Sequence, residues 1–281
     1  MSATAAPNRD QAVLWNEANG RTWVELQSVL DRMLAPFAGI VVDEAFPGAG
    51  GRVTDIGCGA GATTLAMARR LGPGGLALGV DISGPLVAAA AERARAERLE
   101  NAAFVQADAQ TYAFDEAGFD AVMSRFGVMF FEDPEAAFAN IRRGVRSGGK
   151  LAFVAWRSPA ENPFMTTAMR AAAPFLPPLP TPEPGAPGQF GFADGERVRC
   201  ILEASGWTGV EVRPIDVPAS VAEADLKTYV ARMGPVGAAM RELPEADRAR
   251  IVEALETAYA PFIEDGEARF TAACWLVTAR A

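Results

Sequence analysis

The sequence predicts an α/β fold with a mostly parallel sheet and helices on both faces, and three observations carry that prediction. From Arg52 to Trp156, short apolar runs rich in β-branched residues alternate with segments of helical periodicity. That rhythm builds a parallel sheet, because each strand must be carried back across the sheet before the next begins. The first unit is a strand, a glycine turn and a helix: Val53-Thr54-Asp55-Ile56-Gly57-Cys58-Gly59-Ala60-Gly61, then Ala62–Leu71. The chain has 281 residues, 50% of them hydrophobic, enough for one large core with additions or a core plus a small second domain.

Taken in order, residues 1–9 are small and polar and read as a frayed, disordered tail rather than a signal. Gln11 to Phe37 reads as a helix, with Trp23, Leu26, Leu30, Met33, Leu34 and Phe37 at helical spacing and Pro36 marking its end. Strand one is Arg52–Ile56 and its helix Thr63–Leu71. Strand two is Leu76–Val80; Ser83 as N-cap and Pro85 in the first turn start a helix to Leu99. Ala103–Gln106 and Ala121–Ser124 are strands three and four, Asp133-Pro134 opens a helix to Val145, and Leu151–Trp156 is strand five. Nine prolines between Arg157 and Ala193 exclude regular structure throughout that stretch and suggest a lid or binding loop. Asp194–Gly206 reads as a helix, Val210–Val217 as a strand, Leu226–Glu264 as helical and Phe270–Thr278 as the final strand. The expected organisation is a helical lid over 10–40, a cofactor-binding core over 41–156, a proline-rich lid or linker over 157–193, and the rest of the core over 194–281 with a helical insertion at 223–264.

Strand, glycine turn and helix is the geometry in which backbone N–H groups and a helix N-terminus face a ligand at close range. Glycine is needed there because a Cβ blocks either the turn or the approach. Gly57, Gly59 and Ala62 satisfy the dinucleotide pattern G-x-G-x-x-G/A, with Asp81 at the spacing of a ribose-binding acid. Other features pull away from a nicotinamide. Asp55, two residues before the first glycine, would repel a pyrophosphate but could hold an ammonium group. Gly61 opens the loop further. No Tyr-x-x-x-Lys follows Tyr112, Tyr229 or Tyr259, and the chain has no histidine to relay a proton. An NAD(P)-dependent oxidoreductase is therefore the second reading.

The loop Asp55-Ile56-Gly57-Cys58-Gly59-Ala60-Gly61 resembles motif I of the class I S-adenosylmethionine (SAM) methyltransferases, D-x-G-C-G-x-G. The resemblance continues in order over Arg52–Trp156. Gly79-Val80-Asp81-Ile82-Ser83 resembles the second-strand motif, whose acid binds the ribose hydroxyls. Gln106-Ala107-Asp108-Ala109 resembles the third-strand motif, whose acid contacts the adenine amino group. Phe119–Phe126 is similar to the fourth strand and Ser147–Leu151 to the turn into the fifth, with Ser147 where a proline is usual. Within that family the chain is similar to the ubiquinone/menaquinone-type small-molecule methyltransferases. The resemblance implies a Rossmann-like seven-stranded sheet whose last strand is antiparallel, SAM as cofactor with S-adenosylhomocysteine as product, and Trp15, Asp55, Gly57, Cys58, Gly59, Asp81, Ile82, Asp108, Ala109, Ser124, Arg125 and Phe126 at the cofactor. Trp15 and Asn16 resemble the N-terminal segment that folds over SAM in this group. A SAM-binding protein without catalysis is a further alternative.

The residues left open more than one role at several of these positions. Asp81 suits two ribose hydroxyls or the N-terminus of the following helix; Asp108 suits a ligand or a turn; Asp55 suits an ammonium or nearby loop groups. Arg125 suits an anionic group or a neighbouring acid; Phe126, Met129 and Phe130 suit a wall around the methyl, and Met129, Phe130 and Phe131 equally suit plain core. SAM carries an already activated methyl, so alignment and exclusion of water are the main tasks and histidine is dispensable. Tyr229, Glu17 and Asp194 are the weak candidates for a base.

A net charge of −9 and a pI near 4.8, with scattered basic residues, argue against a nucleic-acid partner. Apolar runs are too short to span a membrane. Cys58, Cys200 and Cys274 lack metal-ligand spacing and fit a reducing cytoplasm. The expected partner is a small-molecule substrate, bound by a monomer or homodimer.

Overall fold

A computed structural model describes residues 7–178 and 183–281; residues 1–6 of the expected tail, and Pro180 and Pro182 of the proline-rich stretch, lie outside them. Strands β1 (Arg52–Ile56), β2 (Leu76–Asp81), β3 (Ala102–Gln106), β4 (Phe119–Arg125), β5 (Val145–Trp156), β6 (Thr208–Ala222), β7 (Ile263–Glu264) and β8 (Glu267–Arg280) form one sheet. Seven strands run in the order β3-β2-β1-β4-β5-β8-β6, with the two-residue β7 added against β8. β1 to β5 pair in parallel, while β8 runs antiparallel between β5 and β6. The order reverses between β1 and β4, so the loops leaving their carboxyl ends diverge and open a crevice, the place where open α/β sheets bind ligands.

The N-terminal segment departs from the single helix expected. It forms α1 (Arg9–Asn16), α2 (Ala18–Glu25) and α3 (Gln27–Ala45), and Pro36 lies inside α3 rather than at its end. α3 buries Val29, Leu30, Met33, Leu34, Phe37, Val41 and Val42. Each such side chain contributes roughly 1.5–3 kcal/mol, together far more than the ~3 kcal/mol of an interior proline, and Pro36 sits on the exposed side. Asn8, which the sequence assigns to the tail, is 4% exposed and joined to the body by hydrogen bonds.

Helices α4 (Ala62–Leu71), α5 (Gly84–Ala96) and α6 (Pro134–Arg143) connect the parallel strands. Ser83 and Asp133 cap α5 and α6 as the sequence predicts. The described residues of the proline-rich stretch include α7 (Pro163–Ala172), with Pro163 in the first turn, where its missing N–H is not needed, and a 3-10 turn at Ala173–Phe175. α8 (Gly195–Ala204) leads into β6, and the insertion before β7 is three helices, α9 (Glu223–Arg232), α10 (Gly234–Met240) and α11 (Glu245–Tyr259). β6 and β8 are longer than predicted. β8 pairs with β5 only from Cys274 onward but with β6 back to Glu267. The hairpin therefore projects past the carboxyl edge of the sheet, beside the crevice.

Candidate functional site

The glycine loop is shaped by two different constraints. Gly57 has φ +66°, and a Cβ there would lie 2.6 Å from Gly127 Cα, so this glycine lets the loops after β1 and β4 touch. Gly59 has φ +54°, yet a Cβ there would meet only Trp23 Nε1, at 3.9 Å. Gly59 is thus the open side of the cradle. Ser124 fastens the two strand ends: its Oγ donates to Ile56 O at 2.7 Å and accepts from Gly127 N at 3.1 Å.

Asp55 is buried, and its Oδ2 accepts from the hydroxyls of Thr63 and Thr64, both at 2.6 Å. Its Oδ1 is buried with no partner among the described residues. Burial pushes the carboxyl up to about 6, against the two threonine bonds and the Arg125 charge, which lower it. Asp55 and Met123 are paired across β1 and β4, so Arg125, two residues on, shares the face of the sheet that Asp55 occupies. The half-buried Arg125 donates one hydrogen bond, 3.4 Å to Leu34 O of α3, and makes no ion pair among the described residues. Burial lowers its pKa, opposed by Asp31 and Asp55. Among the described residues, a buried carboxylate with one oxygen lacking a donor and a cation lacking an anion therefore adjoin the crevice. Asp31 itself pairs with Arg93 at 2.7 Å, and Arg93 donates to Ala60 O of the loop at 2.6 Å.

At the end of β2, Asp81 accepts from Gly59 N (2.8 Å, Oδ2) and Ser83 N (2.9 Å, Oδ1). It does not cap α5; Ser83 does. Burial raises the Asp81 carboxyl. Each oxygen accepts a single bond, which leaves further lone pairs for hydroxyl donors. Cys58 is buried and burial raises its thiol well above the ordinary value, so it packs rather than reacts. Asp108 lies in the turn after β3 with Gln110 N on its Oδ1, and Ala109 is buried with its carbonyl bonded to Asn140 Nδ2.

Phe126 has φ +64°, and its ring stacks on Trp156 with centroids 4.4 Å apart and meets Phe37 edge-on. It is core beneath α3, and Met129 is buried as well. Phe130 instead meets Trp15 edge-on at 5.5 Å, and Trp15 meets Trp23 at 5.6 Å. α1 and α2 are latched to the β2–α5 turn: Ser83 Oγ donates to Trp15 O at 2.7 Å, Asn16 Nδ2 to Ile82 O at 3.0 Å, and Gly84 N to Asn16 Oδ1 at 2.9 Å. The weak base candidates fall away. Asp194 caps α8, Glu17 is exposed, and burial raises the Tyr229 phenol.

Sequence reasoning missed Asn8, Thr63, Thr64 and the Asp31–Arg93 pair. Only the threonines carried a signal, two hydroxyls in the first helical turn after the loop. Beyond the crevice, a cavity of about 940 Å³ lies between α3, the segment after β5 and the projecting hairpin, lined by Phe164, Phe262 and Phe270 with a rim of ion-paired charges, Arg157 with Glu161 and Asp216, and Arg269 with Glu267. Among the described residues no group of side chains has the make-up of a metal site, and no helix is long and apolar enough to cross a membrane.

A family model described as a methyltransferase domain matches residues 53–149. The aklanonic acid methyltransferase of a Streptomyces species is 34% identical over 160 residues, which span 55% of this chain and 68% of that protein. The demethylmenaquinone methyltransferase of Thermus thermophilus is 34% identical over 44% of this chain and about half, 55%, of its own length. Among solved structures, the YcgJ protein of Bacillus subtilis shares the fold at 20% identity and a TM-score of 0.58, over 86% of this chain and 97% of that one. The matched span begins in β1 and ends in β5, taking in the glycine loop and the acids at the ends of β2 and β3. The chain belongs to the class I SAM-dependent methyltransferases.

Proposed function

We propose that this methyltransferase binds SAM across the carboxyl ends of β1, β2 and β4 and methylates a small or medium-sized, partly apolar organic molecule. The observation that carries the reading is the unpartnered Asp55 Oδ1 next to the unpaired Arg125. An α-amino acid end supplies what each lacks, an ammonium for the carboxylate and a carboxylate for the guanidinium. On this reading Asp81 takes the ribose hydroxyls, Asp108 the adenine amino group, and Gly57, Cys58 and Gly59 give the backbone cradle. Ile82, Ala109, Ser124 and Phe126 contribute main chain or packing around it, and Trp15 closes the top.

When bound, SAM supplies an activated methyl for in-line displacement. The residues of this chain hold and align: Thr63 and Thr64 fix the Asp55 carboxylate, Ser124 fixes the crevice, and the α1–α2 segment excludes water. Among the described residues no side chain at the crevice is set up as a base, which suits an acceptor already nucleophilic. The aromatic cavity with its rim of paired arginines and acids supports a partly apolar acceptor bearing polar groups. The acceptors in the relatives' names, aklanonic acid and demethylmenaquinone, agree with an organic molecule. Three unpaired cysteines, two of them buried, support a reducing cytoplasm.

Calorimetry with SAM, S-adenosylhomocysteine and NADP tests the cofactor, and transfer of labelled methyl from SAM to candidate acceptors tests the reaction. Micromolar or tighter binding of SAM and S-adenosylhomocysteine is expected. Saturable NADP binding that SAM does not displace would refute the reading.

A further inference from the structure

We infer that Asn8 is a positioning residue for the adenine end of the cofactor, acting by orienting the carboxylate of Asp108. The inference rests on the cofactor reading above and concerns a residue from the stretch that the sequence presents as a tail.

Asn8 Nδ2 lies 3.0 Å from both carboxylate oxygens of Asp108 and 3.0 Å from Gln110 Oε1. An amide carries two hydrogens, so one straddles the carboxylate and the other goes to Gln110. Asn8 is itself held at both ends. Its backbone N donates to Glu132 Oε2 at 2.8 Å, and its Oδ1 accepts from Glu132 N at 2.7 Å. The residue is 4% exposed with φ +54°, a left-handed conformation that asparagine tolerates better than most side chains. Every polar group of the side chain is thus used, across a hundred or more positions of sequence.

The consequence falls on Asp108. Gln110 N alone, on Oδ1 at 2.9 Å, would leave the carboxylate of a half-buried turn residue free to rotate about that bond. Asn8, touching both oxygens, removes that freedom. Oδ1 then has two donors and Oδ2 only one, so the remaining acceptor capacity on Oδ2 has a fixed direction. A fixed acceptor discriminates: an amino group completes it, whereas a carbonyl in the same place is repelled. Asparagine is also the residue the place demands, because an aspartate there would set two carboxylates against each other.

S-inosylhomocysteine, in which a carbonyl replaces the adenine amino group, gives a readout that a merely structural role would not move. The preference of the full chain for S-adenosylhomocysteine over this analogue is measured by calorimetry for wild type, Asn8→Ala, Asp108→Asn and the double variant. Asn8→Ala is expected to cut the preference by about tenfold, the size of one hydrogen bond to a charged group. Its affinity for the inosyl analogue should hold, which also reports that the variant is folded. Asp108→Asn should lose the preference, and the double variant should lose no more than that.

Equal weakening toward both ligands would overturn the inference, as would an unchanged preference. Tighter binding of S-adenosylhomocysteine by Asn8→Ala would overturn it too, since Asn8 would then be occupying the place of the adenine amino group. A wild type without preference would mean that Asp108 does not read that group. Failure of the wild type to bind S-adenosylhomocysteine at all would instead remove the cofactor reading itself.

Discussion

Replacing Asp55 with asparagine should make the ligand-free protein more stable and the ligand-bound protein weaker, and the pH dependence of the gain identifies the cause. Burial raises the Asp55 carboxyl from 3.8 to about 6, and at about 1.4 kcal/mol per factor of ten this makes its ionisation cost the folded state about 3 kcal/mol at high pH. Below pH ~4 the carboxyl is protonated whether the chain is folded or not, so the cost is absent. Between about 4 and 6 the unfolded chain gives up the proton first and stability falls as pH rises; above about 6 the whole cost applies. By the same relation roughly half of that cost applies at pH ~5. Asparagine keeps an acceptor for the Thr63 and Thr64 hydroxyls but brings an amide to the unpartnered position, a penalty of about 1–2 kcal/mol. The variant should therefore gain about 1–2 kcal/mol near pH ~8 and about nothing near pH ~5. Urea unfolding at the two pH values measures this without heating an acidic protein near its pI. With S-adenosylhomocysteine the order should reverse, because an ammonium on Oδ1 offsets the burial cost only when the carboxylate is charged; wild-type affinity should correspondingly rise with pH through about 6. A gain that is the same at both pH values, or no gain at all, would show that Asp55 does not carry a buried, uncompensated charge.

Two further substitutions separate the ends of the ligand. Asp81→Ala removes the acceptor for Gly59 N and Ser83 N, so it should weaken S-adenosylhomocysteine by roughly 2–3 kcal/mol in calorimetry and also lower ligand-free stability in urea by about 1–3 kcal/mol. Loss of affinity with unchanged stability would mean that those two N–H groups find other partners. Arg125→Gln should weaken S-adenosylhomocysteine at least tenfold, roughly the size of a charge-assisted bond, while leaving 5′-methylthioadenosine, which lacks the amino acid end, unaffected in the same titration. Equal effects on both ligands would place the guanidinium elsewhere, on the acceptor or in the packing of α3.

Much of the central layer was legible in the sequence because its constraints are local. β1 begins and ends where the apolar run meets Arg52 and Gly57, and α6 starts at the cap-plus-proline pair Asp133-Pro134, since each signal acts within a few residues. The three-helix N-terminus was not legible, because the face that outweighs Pro36 is created by the sheet it covers. Phe126 shows the same limit at the site. Its place after β4 suggested a wall for the methyl, but a positive φ turns the ring onto Trp156 and under Phe37, whose positions depend on β5 and α3.

The acids show most clearly where local reading stops. Asp55 and Asp81 stand out in sequence because the glycine turn and the strand end dictate what an acid there can reach. What fits each for the proposed ligand lies in its partners: Thr63 and Thr64 hold one oxygen of Asp55 and leave the other bare, while two backbone N–H groups hold Asp81 without exhausting it. Asp108 depends on a partner a hundred positions away, within a stretch whose composition reads as a tail. Periodicity and propensity report constraints acting along the chain. A hydrogen bond that exists only because α1 docks on the β2–α5 turn leaves no periodic trace, although it decides how rigidly a site acid is held. A small polar segment ahead of a lid is therefore poor evidence for a tail: where the lid docks over carboxylates, the segment before it is delivered to them, and an asparagine or glutamine there has acceptors within reach.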